Sequence, residues 1–202
     1  ISEMITDFIG NKTDGVFVEI GGNDGETFGC TAGLADMGWT GYYIEPLESA
    51  ALACVERHKD NNVLTIQCAI GTEEGEAKLH VSTDKYNAYS TLTDDIPEHN
   101  PGLFDSSISV NIYTLDNILD AYVHKNIDIL VIDTEGTEMD VLMSFKRLKE
   151  RLPRMIIIES NSNPDTISGA MALTVPEYTL VYSDGINMIL CLTVDVERYQ
   201  EV

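Results

Sequence analysis

Val16-Phe17-Val18-Glu19-Ile20-Gly21-Gly22-Asn23-Asp24-Gly25 is the stretch on which the fold turns. A short apolar run ends abruptly in a glycine-rich loop. This predicts a buried strand over 16–20 that delivers its carboxyl end to a turn. Glycine at such a turn lets the backbone adopt a left-handed conformation or lets a ligand come close to it. The turn is not the Gly-x-Gly-x-x-Gly of dinucleotide folds. Gly21 and Gly25 stand four apart, and the acidic Glu19 precedes them. A carboxylate at the strand end suits a ligand with a positive charge, such as the ammonium of an amino acid.

Working outward, strands and helices alternate. The pattern predicts a helix over 27–37, a strand over 42–45 and a helix over 47–59, with Leu47, Ala51, Cys54 and Val55 on one face. A third strand is expected over 63–70, stopped by Gly71. An extra strand follows over 75–82, then a polar stretch over 83–107 too long for an idle connector. A strand over 108–115 and a helix over 116–123 come next. The run 127–133 is apolar enough for burial on both faces, as in a parallel sheet. Thr137 and Asp140 have the spacing of a capping box, opening a helix that carries Met139, Leu142, Met143, Phe145, Leu148 and Leu152. A fifth strand is expected over 154–159, and 178–182 with 187–192 read as a hairpin about Asp184-Gly185. Together these predict one α/β domain over 1–202 with a mainly parallel sheet and an inserted segment at about 72–115.

The chemistry-bearing residues gather at predicted strand ends. Glu45, followed by Pro46, lies about 20 residues beyond the glycine loop, where an acid can take both hydroxyls of a ribose. Asp133-Thr134-Glu135-Gly136 closes the most apolar strand, so Asp133 and Glu135 should face the same crevice as Gly21 and Glu45. One of them is a candidate general base or metal ligand. Asp133 with Glu159 or Asn161 could grip a divalent ion. Glu138 reads as structural, favoured near a helix N-terminus. In the polar stretch, Tyr86, Tyr89 and Ser90 are candidates for an acceptor pocket, and His99 for a base. His58, His80 and His124 lie in no motif. Trp39 reads as packing, and Lys146, Arg147 and Lys149 as a solvated face.

Charge narrows the partners. Asp and Glu number 34 against 12 Lys and Arg, a net of −22. That excludes wrapping a nucleic-acid backbone or docking on anionic lipid. No apolar run approaches the ~18–20 residues of a membrane-spanning helix, and the opening residues lack a secretory signal pattern. Cys30, Cys54, Cys68 and Cys191 form no Cys-x-x-Cys pair and sit among apolar neighbours. They read as reduced core thiols, and the expected setting is cytoplasmic.

Five segments carry a family resemblance: VFVEIGGNDGETFGCT at 16–31, GWTGYYIEP at 38–46, QCAIGTEEGEAKLHV at 67–81, YTLDNILDAY at 113–122 and IDILVIDTEGTEMDVLMSF at 127–145. In this order they resemble the FkbM family of class I S-adenosylmethionine-dependent methyltransferases. The resemblance implies a Rossmann-like sheet of seven strands, the last antiparallel, with helices on both faces. It implies methylation of a hydroxyl on a sugar or other small-molecule or glycan acceptor. Glu19, Gly21, Gly22, Asn23, Asp24, Gly25 and Thr27 would hold the methionine end of the cofactor. Glu45 and Pro46 would bind the ribose, and Ala69 and Ile70 would flank the adenine. Asp133 would lie near the methyl group, with Glu135 beside it as a second catalytic acid, and Tyr89 and Ser90 would meet the acceptor. The run Phe28-Gly29-Cys30-Thr31 departs from the family's Ser-Asn-Thr pattern. Three rivals stand beside this reading: a Rossmann-like binding module that has lost its chemistry, a catechol-type methyltransferase using a divalent metal, and an oxidoreductase. The glycine loop lacks the fingerprint of the last.

Overall fold

The most apolar runs of the chain become the centre of a sheet. The computed structural model describes residues 1–83, 89–93, 103–159 and 176–200. Strands β1 (Val16–Ile20) and β7 (Ile129–Ile132) are buried at every position, and β8 (Met155–Glu159) at all but its last. With β2 (Thr40–Ile44), β3 (Val63–Ile66), β9 (Tyr178–Ser183) and β10 (Asn187–Leu192) they form a seven-stranded sheet in the order β3-β2-β1-β7-β8-β10-β9. The pairings from β3 to β8 are parallel, while β10 runs antiparallel to both β8 and β9. This is the expected sheet, with its last strand reversed.

Side chains alternate across the sheet. Val16, Val18 and Ile20 pack on one face with Leu115, Ile118 and Leu119 of α4 (Leu115–Tyr122) and Val141 and Leu142 of α5 (Glu138–Ser144). Phe17 faces the other side, against Ile5 and Phe8 of α1 (Ser2–Ile9), Leu34 of α2 (Ala32–Asp36), Trp39, and Cys54 of α3 (Glu48–Arg57). Glu19 therefore points toward the α2 face, into the protein. Trp39 is fully buried and its Nε1 donates to the Lys12 carbonyl at 3.1 Å, a packing role. The four cysteines are free thiols. Helix α6 (Thr193–Gln200) follows β10. No helix among the described residues is long and apolar enough to cross a membrane.

Several expectations change. The helix expected over 27–37 shrinks to α2. Asp24 takes the amides of Glu26 and Thr27 and the Thr27 hydroxyl into a side-chain turn, which competes with the helix. Phe28, at φ +63, then breaks it. The strand expected over 63–70 divides: Val63–Ile66 stays in the main sheet, while β4 (Ala69–Ile70) joins β5 (Gly75–Ser82) and β6 (Phe104–Tyr113) in a second sheet of order β4-β6-β5. The polar stretch is shorter than expected because β6 begins at Phe104. No capping box forms at Thr137; its side chain makes no cap bond. Glu138 instead accepts from the amides of Thr134 and Gly136 at 3.1 and 2.9 Å, so its structural role is to hold the loop before the helix. Val55, read on one face with Leu47, Ala51 and Cys54, and Met143, among the apolar residues read on the helix after Thr137, are 52% and 62% exposed. Tyr86, His99 and Asn161 lie outside the described residues.

Candidate functional site

Parallel register puts four strand ends on one line. Ile20 pairs with Ile44 and with Ile132, and Ile132 pairs with Ile158. The next residue of each strand is Gly21, Glu45, Asp133 and Glu159. The crest is stitched by backbone bonds: Gly21 N donates to Ile44 O at 2.9 Å and Asp133 N to Ile20 O at 3.0 Å. Gly21 has φ +84, and a Cβ on it would lie 1.6 Å from the Asp133 carbonyl oxygen. The close approach expected at this glycine is thus made by the neighbouring strand.

Two adjoining cavities open above the crest. The first, about 590 Å³, is lined by Gly21, Asn23, Glu45, Pro46, Ala69, Ile70, Ser90, Asp133 and Glu135, with apolar walls from Leu47, Leu79 and Leu92. The second, about 700 Å³, is lined by Glu19, Asn23, Thr27, Phe28, Tyr89, Asp133, Glu135 and Glu159. Tyr89 and Ser90, expected together at the acceptor, are divided between the two. Gly22, Asp24 and Gly25 line neither. Packing accounts for both glycines: a Cβ on Gly22 would sit 2.6 Å from the Tyr43 ring, and one on Gly25 2.7 Å from His58 Nε2. His58, buried, lies with Nε2 2.9 Å from the Gly25 carbonyl and stacks on Tyr43. It is a structural histidine.

The carboxyls of the crest are held rather than loose. Glu45 is 7% exposed. Its two oxygens accept from Asn23 N at 2.9 Å and Leu47 N at 2.8 Å. Burial pushes its pKa up from an ordinary 4.5 to about 7, against those two bonds. Glu19 is also pushed to about 7 by burial, although the Thr31 hydroxyl and the Cys30 amide bond its carboxylate. Asp133 and Glu159 hydrogen-bond to each other, and burial raises both. Ligating oxygens of Asp133, Glu135 and Glu159 lie within 4.8 Å of one another. Asp133 and Glu159, expected as candidate metal ligands, are thus near each other, and Glu135 is grouped with them.

One signal was absent from the sequence reading. Three non-glycine residues have left-handed φ among the described residues: Asn23 at +46, Phe28 at +63 and Glu135 at +55. All three line these cavities. Each such conformation costs on the order of 1–3 kcal/mol and collects at functional sites. Asn23 and Glu135 were candidates on other grounds; Phe28 was only a departure from a family pattern.

The raised carboxyls make stability depend on pH. A carboxyl whose pKa is higher in the folded state holds its proton more tightly there than in the unfolded chain, so folding takes up protons. The stabilisation is complete below about 4.5 and is lost as pH rises through about 7 for Glu19 and Glu45. Glu159 extends the loss to higher pH. The net charge of −22 works in the same direction through self-repulsion. We expect the thermal midpoint of the cofactor-free chain to be highest near pH 5 and to fall steadily toward pH 9. A midpoint that rises over that interval would show that these carboxyls ionise freely.

The family profile described as Methyltransferase FkbM domain matches residues 19–191. A solved methyltransferase FkbM from Methylobacillus flagellatus superposes with a TM-score of 0.59 at 15% identity, over 89% of this chain and 44% of that one. The chain therefore spans less than half the length of that protein. The METTL16 MTase domain aligns with a TM-score of 0.57 at 12% identity, covering 95% of this chain and 65% of that one. A putative rRNA-methylase from Clostridium thermocellum aligns at 0.50 and 9% identity, covering 94% and 93%. At these identities the structural likenesses speak for the fold. No curated protein matches the chain.

Proposed function

Because the chain belongs to the FkbM methyltransferase domain family, we propose that it moves a methyl group from S-adenosylmethionine to a hydroxyl of a sugar or other small-molecule or glycan acceptor. The observation that carries this reading is the buried Glu45 carboxylate. Two backbone amides fix it at the wall of a crevice that Gly21 and Asp133 also line. The residues fit such a cofactor. Glu45 would take the ribose hydroxyls, with Pro46 beside it. Ala69 and Ile70, with Leu47, Leu79 and Leu92, supply an apolar slot for the adenine. Glu19, Asn23 and Thr27 would meet the methionine end.

When bound, S-adenosylmethionine supplies a methyl group on a positively charged sulfur. The protein's part is to align the acceptor and to take a proton. The bound cofactor would supply its methyl group to the acceptor oxygen, its sulfur keeping the electron pair of the broken S–C bond, and the Asp133 carboxylate would take the hydroxyl proton. Burial strengthens that carboxylate as a base. Glu135 and the second cavity would orient the acceptor, with Tyr89 on its wall. The grouping of Asp133, Glu135 and Glu159 supports a second reading, in which a divalent ion activates the hydroxyl. The cytoplasmic setting belongs to the same proposal and is supported by the free thiols.

The deciding experiment is calorimetry with S-adenosylmethionine, then an acceptor screen read as S-adenosylhomocysteine. Glu45→Ala is expected to weaken cofactor binding at least tenfold, since a hydrogen bond to a charged group contributes about 1.5–3 kcal/mol. Wild-type affinity in that variant would remove Glu45 from the site. Binding without turnover on any acceptor would favour a module that has lost its chemistry.

A further inference from the structure

A third cavity, about 970 Å³, shares Cys68 with the crevice and no other lining residue. It is formed where the edge strand β3 meets the turn between β4 and β5, the end of β6, and α4. Its walls combine three kinds of group. Leu64, Ile66, Ile118 and Ala121 are aliphatic, and Tyr113 and Tyr122 are 39% and 43% exposed. The amides of Gln67, Asn111 and Asn117 and the carboxylate of Glu74 complete the lining. The Asn117 amide donates to Glu74, fixing both across the cleft. The side chains of Gln67 and Asn111 have no hydrogen-bond partner among the described residues. Among the described residues, no lysine, arginine or histidine lines this cavity.

We propose that this cleft binds a neutral saccharide. The chemistry of the lining selects that class. Tyrosine rings offer apolar faces to the C–H face of a pyranose, and each hydroxyl rim adds a polar handle. Side-chain amides present a donor and an acceptor side by side, matching vicinal hydroxyls, and a carboxylate accepts from two hydroxyls at once. A phosphate or sulfate would meet Glu74 and no cation. An apolar ligand would cover the Gln67 and Asn111 amides without matching them. The position matters as well. The cleft shares only Cys68 with the crevice lining, so a chain held here need not be the group that reacts. The proposal stands whether or not the crevice transfers methyl groups.

The test uses the full chain and an array of neutral gluco-, manno-, galacto- and N-acetylglucosamine pentasaccharides, with sulfated and phosphorylated counterparts. Hits are titrated in solution with the wild type, Tyr113→Ala/Tyr122→Ala and Asn111→Ala. Neither tyrosine is in the core, so both variants are expected to keep the wild-type thermal midpoint and S-adenosylmethionine affinity. We expect saturable binding of at least one neutral pentasaccharide. The tyrosine pair variant should weaken it at least tenfold, and Asn111→Ala severalfold. Three results overturn the proposal: no saturable binding of any neutral pentasaccharide, binding that the variants leave unchanged, or preference for the anionic counterparts. A fourth also does: sedimentation showing a dimer that the tyrosine variant dissociates would assign this face to a second copy pairing along β3. Loss of S-adenosylmethionine binding, by contrast, would sink the crevice reading and leave this one standing.

Discussion

Gly21→Val is expected to leave no stably folded protein. A Cβ at this position would lie 1.6 Å from the Asp133 carbonyl oxygen, which is backbone and cannot swing aside. Valine would add a branched side chain to a residue held at φ +84, a conformation that β-branched residues avoid. Relief requires β1 and β7 to part at their carboxyl ends, breaking the bond from Asp133 N to Ile20 O at the centre of the sheet. The cost is on the order of 5 kcal/mol or more, a large share of the ~5–15 kcal/mol that stabilises a typical domain. Circular dichroism and a thermal melt check this directly. A cooperative melt within a few degrees of wild type would show that the crest relaxes around the substitution. From the sequence alone, this variant should have lost cofactor binding and kept its secondary structure. The register of β7 beside β1 changes that expectation.

Asp133→Asn is expected to fold normally and to lose turnover. Asparagine has the same shape and can still bond Glu159, so the crest survives. It cannot accept the acceptor's proton. Loss of a general base typically lowers turnover by ~10²–10⁴. Cofactor affinity should change far less, because the proposed ribose and methionine contacts are on Glu45 and Glu19. The measurement is turnover of wild type and variant with and without a chelator, on an acceptor found in the screen. If chelation abolishes wild-type activity and magnesium or manganese restores it, the three clustered carboxylates hold a metal and Asp133 is a ligand. Full activity in Asp133→Asn would end both roles for this residue.

The legible part of this molecule was the part written in runs. Ile129–Ile132 and Met155–Ile158 are apolar without interruption and Val16–Ile20 is broken only by Glu19, and the centre of a parallel sheet buries both faces of such a run. Once those strands were placed, their carboxyl ends followed, and with them Gly21 and Asp133; Glu45 came from the shorter run Tyr42–Glu45. What was not legible depends on contacts between distant residues. The division of 63–70 between two sheets leaves no mark in VLTIQCAI, since both halves are equally strand-like. The clash behind Gly22 needs Tyr43 in place, and that behind Gly25 needs His58. Glu159 could be named as a candidate, but its bond to Asp133 comes from the Ile132–Ile158 register. Expecting a helix from Thr27 failed for a local reason. Asp24 offers amides an alternative partner, and hydrophobic periodicity does not weigh such competition.

The short segment 89–93 sits where the two cavities meet. Thr91 is bonded through its backbone to His80 of the second sheet, at 2.8 and 3.0 Å, and through its hydroxyl to the Glu135 carbonyl at 2.8 Å. Its neighbours face opposite ways: Ser90 and Leu92 border the first cavity and Tyr89 the second. A displacement of this strip is therefore felt on both sides at once. On the proposed reading this strip stands between cofactor and acceptor, tied to the smaller sheet through His80 and to the Asp133–Gly136 loop through the Glu135 carbonyl, so a change at one ligand is mechanically joined to the other.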